Sequence, residues 1–142
     1  MALVPKDLQW MAIRKSSCFL HRQRGINKTF SRERLNMKKV NSIKYNGLIQ
    51  RKAVGIEAAD DAKGVTLVLR GKCHRKPAKA ISKTVLKKHG RNTLKTIKNR
   101  MVNEGYQAHL CKLAQRRASQ VMRSQRPVSS KRARAVKKQK AD

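Results

Sequence analysis

KAVGIEAADDAKGVTLVLR, residues 52–70, decides the fold. Two runs rich in apolar and β-branched residues, KAVGIE (52–57) and VTLVLR (65–70), flank AADDAKG, where Asp60, Asp61 and Gly64 supply turn chemistry. The pattern predicts an antiparallel hairpin that carries much of the core. Val65, Leu67 and Leu69 fall on one strand face and Thr66, Val68 and Arg70 on the other. Only the first face is consistently apolar, and the mixed face is expected to meet solvent or nucleic acid.

Upstream, Leu8 and Met11, and Trp10 and Ile13, stand three apart, so residues 3–15 read as one short helix with Pro5 in its first turn. From Cys18 to Glu57 the short runs CFLHR, INKTF and SIKYNGLIQ, punctuated by Gly25 and Gly47, read as strands of a meander. Downstream of Gly71, GKCHRKPAK has no periodicity and contains Pro77, which marks a basic linker over 71–80. Helices are expected beyond it. Ile81 and Val85 are four apart; Asn92 offers an N-cap for a segment carrying Leu94, Ile97 and Met101; and Gly105 is a natural stop. Residues 107–125 set Leu110, Leu113, Ala114, Ala118, Val121 and Met122 along one stripe, a third helix ended by Pro127. The expected class is α+β. A short N-terminal helix and small antiparallel sheet occupy 1–70, amphipathic helices of the same domain occupy 81–125, and a basic disordered tail runs over 126–142.

Charge narrows the function. The 142 residues hold 37 Lys and Arg against 7 Asp and Glu, a net charge of +30. Soluble surfaces normally intersperse both signs, whereas here residues 71–103 and 105–141 each carry eleven Lys or Arg and no acid. Such runs point to a polyanionic partner whose phosphates replace released counterions. Leu, Ile, Val and Phe total 30 residues, which allows only a modest core. No apolar run approaches the roughly 20 residues of a membrane span, and Lys6, Asp7, Arg14 and Lys15 interrupt any secretory signal. Three widely spaced cysteines, Cys18, Cys73 and Cys111, do not form a disulfide framework and suit a reducing compartment.

Catalytic chemistry finds no anchor. Gly64 and Gly71 are too far apart for a phosphate-binding loop, and Cys73 stands where that loop needs a hydroxyl. Glu57, Asp60 and Asp61 read as turn residues, and no nucleophile elbow accompanies the four histidines. Cys18–His21, Cys73–His74 and His109–Cys111 lack the paired spacing of a zinc site, so no metal or cofactor is expected. Aromatics for base stacking are few, with Trp10 and Phe19 assigned to packing, and neither zinc-finger nor basic-zipper spacing occurs. Structured RNA held through its backbone fits best.

Specific strings sharpen this reading: LQWM (8–11), SSCFL (16–20), YNGLIQRKAVGIE (45–57), KGV (63–65), RKPA (75–78) and RRASQVMRSQRPV (116–128). In matching order over residues 8–128 they closely resemble the eukaryote-specific large-subunit ribosomal protein family numbered twenty-eight. That resemblance implies a non-catalytic, mixed α and β protein on the surface of the cytosolic large subunit. Its implied partners are ribosomal RNA and neighbouring ribosomal proteins, with no membrane or small-molecule substrate. The chain would be monomeric within the ribosome, cytoplasmic after nuclear and nucleolar passage. By position, the resemblance makes Arg51, Lys52, Arg75, Lys76, Arg116, Arg117 and Arg123 RNA-contact candidates. Charge adds Arg14, Lys15, Arg22, Lys72 and Arg126, while Lys28, Arg32, Lys38 and Lys39 lie where the family strings match least. Two rival readings fit the same residues: a nucleolar assembly factor that leaves the particle, and a general DNA- or chromatin-binding protein using the tail KRARAVKKQK.

Overall fold

A computed structural model describes residues 4–61, 63–71, 77–106 and 108–127. The linker candidates at 72–76 and the tail from 128 lie outside them. The decisive stretch forms the expected hairpin. Strands β3 (Val54–Ala58) and β4 (Val65–Arg70) pair antiparallel from Val54↔Leu69 to Ala58↔Val65. Ala59 N–H donates to the Gly64 carbonyl at 3.3 Å, which closes the turn.

A third strand joins where a helix was expected. After one helical turn, α2 (Pro77–Ala80), residues Ile81–Leu86 form β5 on the far side of β4, giving the order β3-β4-β5. Spacing by four satisfies a strand as well as a helix, because four is a multiple of two. The β-branched Ile81, Thr84 and Val85 tip the balance to extended chain. In the strand Ile81, Lys83 and Val85 share an outward face; Ile81 is 45% exposed and Val85 53%, while Leu86 enters the core.

Val54, Ile56, Val65, Leu67, Leu69 and Leu86 form the inner sheet face, and helices α3 (Gly90–Asn103) and α4 (Ala108–Ser124) complete the core. Fully buried Ala114 and Ala118 let α4 approach the sheet closely, flanked by Leu110, Cys111 and Val121. From α3 come Ile97 and Met101, both fully buried. The helix starts two residues before the predicted cap: His89 precedes Gly90, and Asn92 lies exposed within the first turn. No side chain caps the helix start; Thr93, buried in the first turn, donates its hydroxyl to the Lys88 carbonyl at 2.9 Å and ties the helix to the residues before it. Gly105 ends α3 as expected. At φ +67° it sends its N–H to Val102 O (2.9 Å) while Tyr106 N–H reaches Met101 O (2.8 Å), a Schellman closure that also drops Tyr106 into the core. The far end of α4 is clasped to the hairpin: the Gln125 amide donates to Gly64 O (2.8 Å) and accepts from Gly64 N (3.0 Å).

The meander is smaller than predicted. β1 (Leu20–Arg22) and β2 (Thr29–Ser31) make a two-stranded hairpin from CFLHR and INKTF, but SIKYNGLIQ is a series of turns. Asn46 Oδ1 accepts from Leu48 N (2.9 Å) and Ile49 N (3.1 Å), and such local capture competes with a ladder. A buried carboxylate holds the whole segment. Glu33 is 3% exposed and accepts from Ser31 Oγ (2.9 Å), Asn46 Nδ2 (3.0 Å) and Gly47 N (2.8 Å). So held, Arg34 and Leu35 cross the second sheet face at Gly55, where a Cβ would lie 2.9 Å from Arg34 O. The face expected to meet solvent is therefore covered there, and Val68 on it is buried.

Helix α1 (Lys6–Ile13) matches the predicted short helix but buries none of its residues. Trp10 is half-buried and Phe19 exposed, so the assignment of both to packing is corrected: the core closes without them. Lys6 Nζ to Gln50 Oε1 (3.2 Å) and Asn41 Nδ2 to Arg14 O (2.9 Å) tether α1 to the turn segment.

Glu33→Ala strips acceptors from three buried donors and is expected to cost about 2–4 kcal/mol in denaturant unfolding. Glu104→Ala removes only a surface pair with Arg100 and should cost under about 0.5 kcal/mol. Equal losses would show that the buried network does not organise residues 31–50.

Candidate nucleic-acid interface

The scarce acids are largely paired within the chain, Glu33 in the interior and the others at the surface. Beyond Glu33, Glu57 receives a two-pronged bond from Arg34, Nε to Oε1 at 2.7 Å and Nη2 to Oε2 at 2.6 Å. The guanidinium holds the Glu57 carboxyl below its usual range, and the carboxylate raises Arg34 in return. Asp61 is bonded by Lys87 and held low in the same way; Glu104 lies 3.6 Å from Arg100. Asp7 occupies the first turn of α1, where the helix dipole favours a negative charge. The turn cluster of Glu57, Asp60 and Asp61 thus resolves into separate ion pairs plus one exposed carboxylate. Among the described residues no group of three His, Cys, Asp or Glu could hold a metal.

What faces outward is cationic. On the solvent side of α4, Lys112, Arg116, Ser119 and Gln120 line a shallow groove of about 450 Å³, and exposed Arg123 and Arg126 follow toward the helix end. The positions recur at i, i+4, i+7, i+8 and i+11, opposite the buried Ala114–Ala118 stripe. Such a row can track phosphates with Arg forks while Ser and Gln donate neutral hydrogen bonds. Arg117 points elsewhere, into a cavity shared with Arg34 and Lys39.

The remaining candidates do not converge there. Arg14 and Lys15 are exposed at the end of α1; Arg22 is exposed on β1, its Nε 3.3 Å from Thr29 Oγ1; Arg51 is exposed between the turns and β3. Lys72, Arg75 and Lys76 lie outside the described residues. Lys52 has a structural post: its Nζ donates to Glu104 O (2.7 Å) and Gly105 O (3.0 Å) and sits 5.7 Å from the Tyr106 ring centroid. It caps the C-terminal end of α3. Sequence alone singles out neither Lys112 nor Arg34 as a contact, and reaches Lys39 only through its charge. The helical spacing of Lys112 with Arg116 was the available signal; nothing local announces Arg34 or Lys39.

Stacking surface is limited. The Tyr45 ring has Lys38 Nζ at 5.2 Å, Lys44 Nζ at 5.9 Å and the His109 ring edge-on at 5.9 Å. Burial, then Lys44, pushes His109 below its ordinary value, so its imidazole stays neutral at pH 7. Tyr106 is buried with its hydroxyl donating to Arg70 O at 2.8 Å.

The family model for the ribosomal L28e protein family matches residues 8–124. The large ribosomal subunit protein eL28 of Caenorhabditis elegans is 43% identical over 118 residues, covering 83% of this chain and 88% of the relative. Its namesake from Schizosaccharomyces pombe is 37% identical over 130 residues, 87% of this chain and 95% of the relative.

Two measurements check these placements. Lys52→Ala should cost about 1 kcal/mol of stability and leave the salt dependence of RNA binding unchanged. Arg116→Ala should do the reverse, lowering the log–log salt slope by about 0.7–0.9. Burial, and secondarily Glu104, raises the Tyr106 phenol from 10 to about 12. Because the folded value exceeds the unfolded one, this contribution to stability is complete below pH 10 and vanishes as pH climbs toward 12. Phenolate absorbance should therefore show one late-titrating tyrosine, absent in Tyr106→Phe, whose stability should fall less between pH 10 and 12.

Proposed function

This chain belongs to the ribosomal L28e protein family, and on that premise we propose that it is a structural constituent of the cytosolic large ribosomal subunit, bound to ribosomal RNA through distributed Lys and Arg contacts. One observation carries the reading: the described acids are largely committed to internal bonds, and the helix that seals the core turns an unneutralised row, Lys112 to Arg126, outward. A surface with this balance is self-repelling until a polyanion covers it. The scaffold's part is geometric. It fixes guanidinium directions before binding, so ordering cost at the phosphates is small. The role proposed is structural, without catalysis, cofactor or small-molecule substrate.

A protein neighbour is also supported. Ile81 and Val85 stand exposed on edge strand β5, and Arg70, the Cα partner of Ile81, donates to the carbonyl of exposed Leu48 at 3.0 Å. Exposed apolar side chains on an edge strand are better covered by another protein than by phosphates. Residence is proposed in the cytoplasm, after assembly in the nucleolus. Among the described residues no helix is long and apolar enough to cross a membrane.

Sucrose-gradient sedimentation of the tagged chain tests the proposal. It should follow large subunits and translating polysomes, with crosslinks to ribosomal RNA at Arg51, Arg75 and Arg116. Presence in precursor particles alone would identify an assembly factor, and recovery with chromatin would identify a DNA-binding protein.

A further inference from the structure

We propose that the cavity between the residue 34–39 turn, strand β3 and helix α4 is a seat for a single RNA phosphodiester, gripped by Lys39 and Arg117. The proposal deepens the reading of the chain as an RNA-bound ribosomal protein and rests on it. The cavity has a volume of about 270 Å³, with Met37 and Ile56 contributing apolar wall. Lys39 arrives from the turn and Arg117 from α4. No acid is free to separate them, since Glu57 in the same wall is engaged by both prongs of the Arg34 guanidinium.

Three features distinguish this place from the general basic surface. First, Lys39 adopts φ +55°, the sole non-glycine residue with positive φ among those described. Glycine or asparagine would hold that conformation with less strain, and strain of this kind collects where a side chain is needed for function. The surroundings enforce it: Ser31 N–H donates to Lys39 O at 2.9 Å, and Phe30 bridges Val40 one residue on. Second, two cations share a partly enclosed space. Burial, and next the nearby Arg117, push the Lys39 ammonium below its ordinary value, with Glu57 and Glu33 only partly opposing them, and an anion between the two cations would oppose their repulsion directly. Third, donors remain. Lys39 Nζ gives one hydrogen bond to Glu33 O and keeps two, while Arg117 makes no hydrogen bond or ion pair among the described residues. A phosphodiester supplies two anionic oxygens and fits a fork on one side with a point charge on the other.

The test is competition in cells. Tagged full-length wild type, Lys39→Gly, Arg117→Gln and the control Lys98→Gln, an exposed cation on α3, are each co-expressed with untagged wild type. Purified large subunits are then assayed for the ratio of tagged to untagged chain. Lys39→Gly and Arg117→Gln should each fall roughly three- to tenfold below Lys98→Gln. The double variant should lose less than the product of the two, because both residues hold one phosphate. In intact subunits Lys39 should resist acetylation by an amine-reactive ester, and in the extracted protein it should react. Arg117→Gln guards against misfolding, since its exposed side chain makes no hydrogen bond or ion pair among the described residues. Both variants competing like the control, or equal acetylation of Lys39 in subunit and free protein, overturns the site. Wild type that never enters large subunits overturns the functional reading instead.

Discussion

A carboxylate sealed inside a chain carrying thirty net positive charges is the constraint on which the rest of this structure depends. Glu33 offers its two oxygens to three donors drawn from residues 31, 46 and 47. Buried alone it would be costly; fully bonded, it fixes the path of a segment that has only a two-stranded hairpin as regular structure. That path carries Arg34 and Leu35 across Gly55, sets Lys39 in its left-handed conformation and delivers Arg34 to Glu57. Negative charge works here as internal fastening. The outer surface is left to cations, whose mutual repulsion an RNA partner would relieve.

Helix α4 joins stability to the proposed RNA surface. Its inner stripe of Ala114 and Ala118 brings the helix close to β3 and β4, and its outer row of Lys112, Arg116 and Arg123 inherits a rigid spacing from that contact. Gln125 adds a clasp to Gly64 at the hairpin turn, so the helix end cannot drift from the sheet. Lys52 shows the other use of a cation in such a chain. With two carbonyls and an aromatic ring to hold it, it belongs to the scaffold although its sequence neighbourhood resembles that of Arg51.

The elements readable from sequence were those specified locally. The hairpin announced itself through β-branched runs about an acidic, glycine-containing turn; α4 through its apolar stripe; the end of α3 through Gly105. Errors came where a local signal was ambiguous. Ile81 and Val85 fit periods of two and 3.6 alike, and only pairing with β4 selects the strand. SIKYNGLIQ has strand-like residues, yet Asn46 captures its own neighbours' amides under the hold of Glu33. Trp10 was assigned to packing by size, but the helix that carries it lies against the body without entering the core.

Charge, the family strings and the class of secondary structure were thus determined by the sequence itself, because composition and short periodicities need no knowledge of distant partners. Tertiary structure alone decided which cations are fasteners and which face outward, and it alone brought Lys39 and Arg117 to one cavity across 78 residues of chain. The physical reason is that a charged side chain's role depends on the acceptors and charges within a few ångströms of its tip. For a long, flexible Lys or Arg those neighbours come mostly from elsewhere in the fold.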